Sequence, residues 1–181
     1  MASYSPVDGR VSYLAGVLGI TNFQETFFNN NDTHSVLGRS QSFALLLQAL
    51  GDLTPKSSLM AEVTLGNHKF SKETGTFLDD YKIEAISFDL GYRRLIGGNF
   101  WISGQLGSMY AWRVTQKVHS KPSRNPESDF ASIYSIILGL QYESELFGRD
   151  ISYGLRIQKY MTTHIDDQMG LGLSAGYRFG M

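Results

Sequence analysis

The feature that most constrains this chain is a two-residue alternation of apolar and polar side chains. It is clearest near the end, where Leu171, Leu173, Ala175, Tyr177 and Phe179 alternate with small or polar residues. Successive side chains of a β-strand point to opposite faces, so this period indicates strands rather than helices. A chain of 181 residues is the size of one domain, and we expect a single all-β domain over residues 1–181.

The alternation recurs in eight segments, each close to the length that a tilted strand needs to cross a bilayer. The predicted strands are Ser12–Gln24, Gln41–Leu50, Ser58–Lys69, Lys82–Arg93, Phe100–Val114, Phe130–Glu143, Ile151–Tyr160 and Met169–Phe179. Short connections (Gly51–Ser57, Arg94–Asn99, Ser144–Asp150) alternate with three long ones (Glu25–Ser40, Phe70–Tyr81, Thr115–Asp129) and one of intermediate length (Met161–Gln168). Strict alternation places all short turns on one side, which predicts an antiparallel up-and-down β-barrel.

The side chains of two strands cannot be assigned to a face from the pattern. In the first strand, either Leu14, Leu18 and Ile20 or the intervening Tyr13 and Val17 could face outward. Leu46 and Leu50 blur the alternation of the second strand in the same way.

Composition excludes several classes of protein. Lys and Arg number 16 against 17 Asp and Glu, a net charge of −1, which argues against a basic nucleic-acid binder. The absence of cysteine excludes disulfides, thiolate metal sites and thiol nucleophiles. No metal site or cofactor is expected. The first residues lack the basic and apolar regions of a signal peptide, so we expect either a cytoplasmic chain or, as the strand pattern favours, a mature form with a new start Met.

The faces opposite the apolar ones decide between a soluble barrel and a membrane barrel. They carry Gly, Ser and charged residues but few lysines, which is typical of a narrow polar interior. Aromatic residues on the apolar faces lie near the strand ends, as in the aromatic girdles of membrane barrels. The predicted interior polar network consists of Glu62, Asp89, Arg93, Arg113, Glu143, Arg156 and Arg178. Unpaired charges there would cost several kcal/mol each, so acids should pair with arginines.

The segment Gly172–Phe179 resembles the C-terminal strand of bacterial outer-membrane barrels, in which alternating aromatics end in Phe. The eight-strand layout extends the resemblance to small barrels of the OmpA/OmpX type. This resemblance implies an eight-stranded antiparallel transmembrane β-barrel in the bacterial outer membrane. It implies insertion by the barrel-assembly machinery through the last strand, contact with membrane lipids and lipopolysaccharide, and a monomer. It also implies a non-enzymatic role, structural or in surface interaction, carried by external loops.

Two other functions remain open. A lipid A-modifying enzyme would use the histidines near the long connections, His34, His68, His119 or His164, although we expect these to be exposed loop residues. A soluble lipocalin-like carrier would bury its apolar faces around a ligand. No catalytic residue is assigned, because Gly172–Gly176 matches a nucleophile-elbow motif without the helix that the motif requires.

One of the long connections carries several basic residues. The segment Thr115–Asp129 carries Lys117, Lys121 and Arg124, which could contact phosphates or an acidic extracellular partner.

Overall fold

Most of the strands are longer than the sequence predicts. The computed structural model describes residues 10–24, 40–74, 77–117, 133–162 and 168–180. These residues form the strands β1 (Val11–Gln24), β2 (Ser40–Thr54), β3 (Ser57–Thr74), β4 (Phe77–Gly97), β5 (Phe100–Lys117), β6 (Ile133–Leu146), β7 (Arg149–Thr162) and β8 (Gln168–Phe179). Within this part of the chain, no helix has the length and hydropathy that crossing a bilayer requires.

The strands close into a barrel. Each strand pairs antiparallel with the next in sequence, and β8 pairs back with β1. The closing ladder runs from Tyr13 opposite Phe179 to Gln24 opposite Gln168. Closure gives every strand two hydrogen-bonded neighbours and removes the exposed sheet edge on which other chains could pair. The predicted closed eight-stranded antiparallel fold is confirmed.

The apolar faces point outward. Leu173 is 66% exposed and Phe88 is 54% exposed, whereas Glu62, Asp89 and Arg156 are buried. A barrel with a water-facing exterior would have the opposite arrangement. The structure therefore has a hydrophobic outer wall around a largely polar interior.

The strands with ambiguous faces place leucines inside. In β1, Leu14 and Leu18 are buried and Tyr13 and Val17 are exposed. Leu46 of β2 completes an interior apolar cluster with Leu14, Leu18 and Ile20. The pattern was ambiguous because both faces of these strands carry apolar side chains, which belong to the outer wall on one face and to this cluster on the other.

The short connections are tighter than predicted. Pro55-Lys56, Gly98-Asn99 and Phe147-Gly148 are two-residue turns, and the flanking ladders continue into the ranges predicted as loops. Phe147 and Gly148 both have positive φ, 55° and 70°. Positive φ at both central residues is the geometry of the type I′ hairpin turn, which matches the twist of the flanking strands.

The predicted loop Phe70–Tyr81 is wrong over most of its length. The β3–β4 ladder continues through it to Thr74 opposite Phe77. The other long connections, 25–39, 118–132 and 163–167, lie outside the described residues.

A β-bulge in β5 corrects one predicted interior residue. Glu84 pairs with Arg113 and Ala85 pairs with Ala111, so Trp112 is the extra residue of the bulge. Ala111 and Val114 pack inward, whereas Trp112 is half-exposed and the Arg113 side chain is 70% exposed. The prediction that Arg113 lies in the interior is therefore wrong, because the bulge reverses the alternation on which it depended.

Candidate functional site

An ion pair crosses the middle of the barrel. Glu62 projects from β3 and Arg156 from β7, which are four strands apart in the closed ring of eight. Arg156 Nη1 lies 2.5 Å from Glu62 Oε1, and Nη2 lies 3.2 Å from Oε2. This bidentate geometry is the strong form of an arginine–carboxylate pair, and it ties opposite walls together.

Amide side chains extend the pair around the interior. Gln48 Nε2 donates to Glu62 Oε2 at 2.6 Å, and Gln105 Nε2 donates to the same oxygen at 3.5 Å. Gln141 Nε2 donates to Gln48 Oε1 at 3.3 Å. The Glu62 carboxylate thus accepts hydrogen bonds from three strands besides its own, which offsets the cost of burying its charge.

Asp89 lies directly opposite Glu62 on the neighbouring strand. Its carboxylate accepts hydrogen bonds from the Ser135 hydroxyl and, at 2.8 Å, from the Ser87 hydroxyl. Ser87 Oγ also lies 2.6 Å from Thr64 Oγ1. Two carboxylates in direct register repel each other, and the hydroxyl donors together with Arg156 across the barrel compensate for that repulsion.

A second group of charges lies toward the short turns. Glu143 accepts from Arg93 Nη1 at 2.5 Å and from Arg178 Nη1 at 3.0 Å. Arg178 Nε also donates to Ser12 Oγ at 3.0 Å. The buried Arg93 guanidinium lies over the Trp101 ring, 4.1 Å from its centroid, a cation–π contact that strengthens away from water.

The predicted interior residues thus fall into two connected sets. The structure brings together Glu62 with Arg156, with Asp89 adjacent, and Arg93 with Glu143 and Arg178. Arg113 joins neither set. Without Arg113, three carboxylates and three guanidiniums remain among these predicted residues, so their formal charges balance.

The interior also contains polar residues that the sequence reasoning did not single out. Gln48, Ser87 and Ser135 are buried and contact the charged groups. Gln48 was missed because the faces of β2 were ambiguous. Gln48 lies two residues after Leu46 and therefore on the same face of β2. Had Leu46 been assigned to the interior, Gln48 would have been assigned there too.

His68 is not an exposed loop residue. It lies in β3 and is 1% exposed, with its ring edge-on to Tyr160 at a centroid distance of 6.0 Å. Tyr160 accepts a hydrogen bond from Gln158 at 2.7 Å. The other histidines, His34, His119 and His164, lie outside the described residues, as do Lys121 and Arg124. Lys117 ends β5 opposite Asp80.

Little space remains beside the central network. One interior cavity, between Glu62, Asp89 and Arg156, measures about 10 Å³. Another, bordered by Gln105 and Gln141, also measures about 10 Å³. A cavity of this size holds about one water molecule.

Solved structures share this architecture. Neisserial surface protein A (NspA) superposes with a TM-score of 0.54 at 14% identity, over 94% of this chain and 97% of that one. Ail, the attachment invasion locus protein of Yersinia pestis, in complex with the heparin analogue sucrose octasulfate, gives 0.53 at 14% identity, over 96% and 100%. Ail in a phospholipid bilayer nanodisc gives 0.51 at 14% identity, over 95% and 100%.

The chain has the fold of the small eight-stranded outer-membrane barrels. The sequence itself matches no model of a protein family and no curated protein. At such low identity the shared feature is the fold, namely the closed barrel and its order of strands.

Proposed function

We propose that this chain is a non-enzymatic integral protein of the bacterial outer membrane. Its polar network closes the interior, and its outward surfaces carry its function. The observation that carries this proposal is the Glu62–Arg156 pair across the interior of a barrel with an apolar outer wall. The wall fits a bilayer, and the crossing side chains occupy the path that a permeating ion would need.

The proposal includes partners. Membrane lipids and lipopolysaccharide would surround the wall, and β8 would be the strand read by the barrel-assembly machinery during insertion of a monomer. Lys117, Lys121 and Arg124 would contribute to contact with an acidic extracellular partner. The complex of Ail with a heparin analogue supports testing polysulfated ligands first.

Conductance measurements test the closed interior. The full chain, refolded and inserted in a planar bilayer, should give no current steps above the bare membrane. The double variant Glu62→Ala/Arg156→Ala should give small steps, because it empties the centre of the barrel. Stable steps from the unsubstituted chain would contradict a closed interior.

The main alternative is a lipid A-modifying enzyme. Cells that overproduce the chain should show an unchanged mass profile of lipid A. A mass shift that disappears in the variants His34→Ala, His119→Ala or His164→Ala would establish the enzyme instead. The soluble carrier lacks support in the described part of the chain, because the central cavities there hold about one water each.

A further inference from the structure

One buried carboxylate fixes the direction of the hydrogen bonds around it. An ionised carboxylate only accepts hydrogen bonds, whereas an amide side chain donates through its nitrogen and accepts through its oxygen. Gln48 and Gln105 therefore turn their nitrogens toward Glu62. The oxygen of Gln48 remains, and it accepts from Gln141 Nε2. Each amide of this set thus donates in the direction of Glu62.

Two acceptors are left over at the ends of this set. Gln105 Oε1 and Gln141 Oε1 are buried, and neither has a hydrogen-bond partner among the described residues. The two side chains are 4% and 6% exposed. Turning either amide around would bring its oxygen against Glu62 or against the oxygen of Gln48, so reorientation provides no donor. A buried acceptor without a donor is unfavourable.

Both glutamines border the same small cavity. It measures about 10 Å³, and its lining also includes Ser103, Ser174 and Arg156. These side chains come from β5, β6, β7 and β8, which are consecutive strands of the closed barrel. A cavity of this size holds about one water molecule.

Two glycines make room for hydroxyl groups at this cavity. Gly139 is opposite Ser103, and Gly154 is opposite Ser174. A Cβ at Gly139 would lie 2.6 Å from Ser103 Oγ, and a Cβ at Gly154 would lie still closer to Ser174 Oγ. The hydroxyls thus occupy space that a side chain at either glycine would need. The lining therefore offers hydroxyl donors as well as amide acceptors.

The lining selects the chemistry of the ligand. Two leftover acceptors require a ligand with two donors, and the volume limits that ligand to about the size of one water. Water has two O–H groups for the amide oxygens, and its own oxygen can accept from Ser103 or Ser174. A monovalent cation would also suit the oxygens, but the positive charge of Arg156 beside the cavity opposes it.

We propose that one water molecule binds between Gln105 and Gln141 and donates a hydrogen bond to each amide oxygen. This water completes a closed ring of hydrogen bonds, which runs from Glu62 through Gln48 and Gln141 to the water and returns through Gln105. The ring joins β2, β3, β5 and β6 across the interior. The inference goes beyond the proposed function, because it does not depend on where the barrel lies.

A crystal structure of the full chain from detergent micelles, at a resolution that shows ordered waters, tests the site directly. We expect one peak of electron density about 2.7–2.8 Å from both amide oxygens. The inference is overturned if no peak is present and the oxygens accept from the hydroxyls of Ser103 and Ser174 instead. An anomalous peak at the site after a thallium(I) soak would assign it to a monovalent cation, which also overturns the inference.

NMR in micelles tests the same site in solution. The side-chain amide protons of Gln105 and Gln141 should show cross-peaks to a water that tumbles with the protein. Gln48 is the control, because its nitrogen and its oxygen both have protein partners, and it should show none. Equal cross-peaks at all three glutamines would indicate general hydration of the interior, in contradiction to a single site.

The decisive variant is Gln105→Leu/Gln141→Leu. It removes both acceptors, and because cavities with apolar linings stay dry, the density peak should be lost. The matched control is Gln158→Leu, since Gln158 is equally buried but borders the other small cavity; the peak should persist in it. A peak that persists in the double variant, or that is also lost in Gln158→Leu, would refute the assignment. If the double variant does not fold, the density and the cross-peaks of the unsubstituted chain still decide.

Discussion

Glu62 and Arg156 face each other across the full width of the barrel and meet through both carboxylate oxygens, at 2.5 and 3.2 Å. Their strands, β3 and β7, share no ladder. The pair is therefore a link between opposite walls that the backbone itself does not make.

Breaking this link should be costly. Arg156→Met would leave Glu62 buried without its counter-ion, and we expect a loss of about 3–5 kcal/mol in the free energy of unfolding. The double variant Glu62→Gln/Arg156→Met should lose less than the sum of the single variants, because neither charge is then isolated. Urea unfolding in detergent micelles measures this, with the exposed Glu145→Gln as the control. Additive losses would show that the two side chains are not energetically coupled.

Gly172 should not tolerate a side chain. A Cβ there would lie 2.7 Å from Arg156 Cγ and 3.3 Å from Leu18 Cδ1. Gly172→Ala should therefore displace the arginine stem and cost about 1–3 kcal/mol, as overpacking does. Gly51→Ala is the control, because a Cβ at Gly51 meets nothing within 4 Å. A comparison of the two unfolding midpoints tests the prediction, which equal midpoints would contradict.

The free-energy cost of a charged substitution on the outer wall should depend on its depth in the membrane. Leu138 and Leu146 lie on the same face of β6, the first well inside the strand and the second next to a turn. Leu138→Arg should cost about 2–4 kcal/mol in lipid, and Leu146→Arg about 0–1. Folding titrations into phospholipid vesicles give both values. Equal costs would contradict a bilayer around this wall.

Phe147 offers a stabilising substitution. It has a positive φ of 55°, which costs a non-glycine residue about 1–2 kcal/mol. Phe147→Asn would create the Asn-Gly pair that type I′ turns favour and should raise stability by about 1 kcal/mol. Phe147→Leu keeps the backbone cost and should give no such gain. Thermal unfolding followed by gel mobility compares the two, and an equal response of both variants would refute the assignment to backbone strain.

The fold could be predicted from the sequence because one period runs through all eight strands. Where the interior is polar, as along β7 and β8, the two faces are distinct and Arg156 is assigned inward from the pattern alone. Where Leu14 and Leu46 fill the interior, the contrast between the faces disappears. The extension of the β3–β4 hairpin was missed because the polar composition of this segment is typical of loops.

The site was harder to predict than the fold. The contact between Glu62 and Arg156 depends on closure of the barrel. Closure places β3 and β7, which are far apart in sequence, on opposite sides of the interior. The prediction that Arg113 lies in the interior was wrong for a local reason. One inserted residue, Trp112, reverses every assignment after it, and a bulge of this kind leaves no mark in the hydrophobic pattern.

The seam between β1 and β8 has a consequence for how the molecule is made. Its two halves are the first and last strands of the chain, so Tyr13 can find Phe179 only after everything between them has been synthesised. Until then two rows of backbone amides and carbonyls stay unsatisfied, and hydrocarbon would penalise each of them. In a bilayer, a chain that lacks the last strand would therefore have no stable place, and insertion of the proposed membrane protein would have to await the final strand.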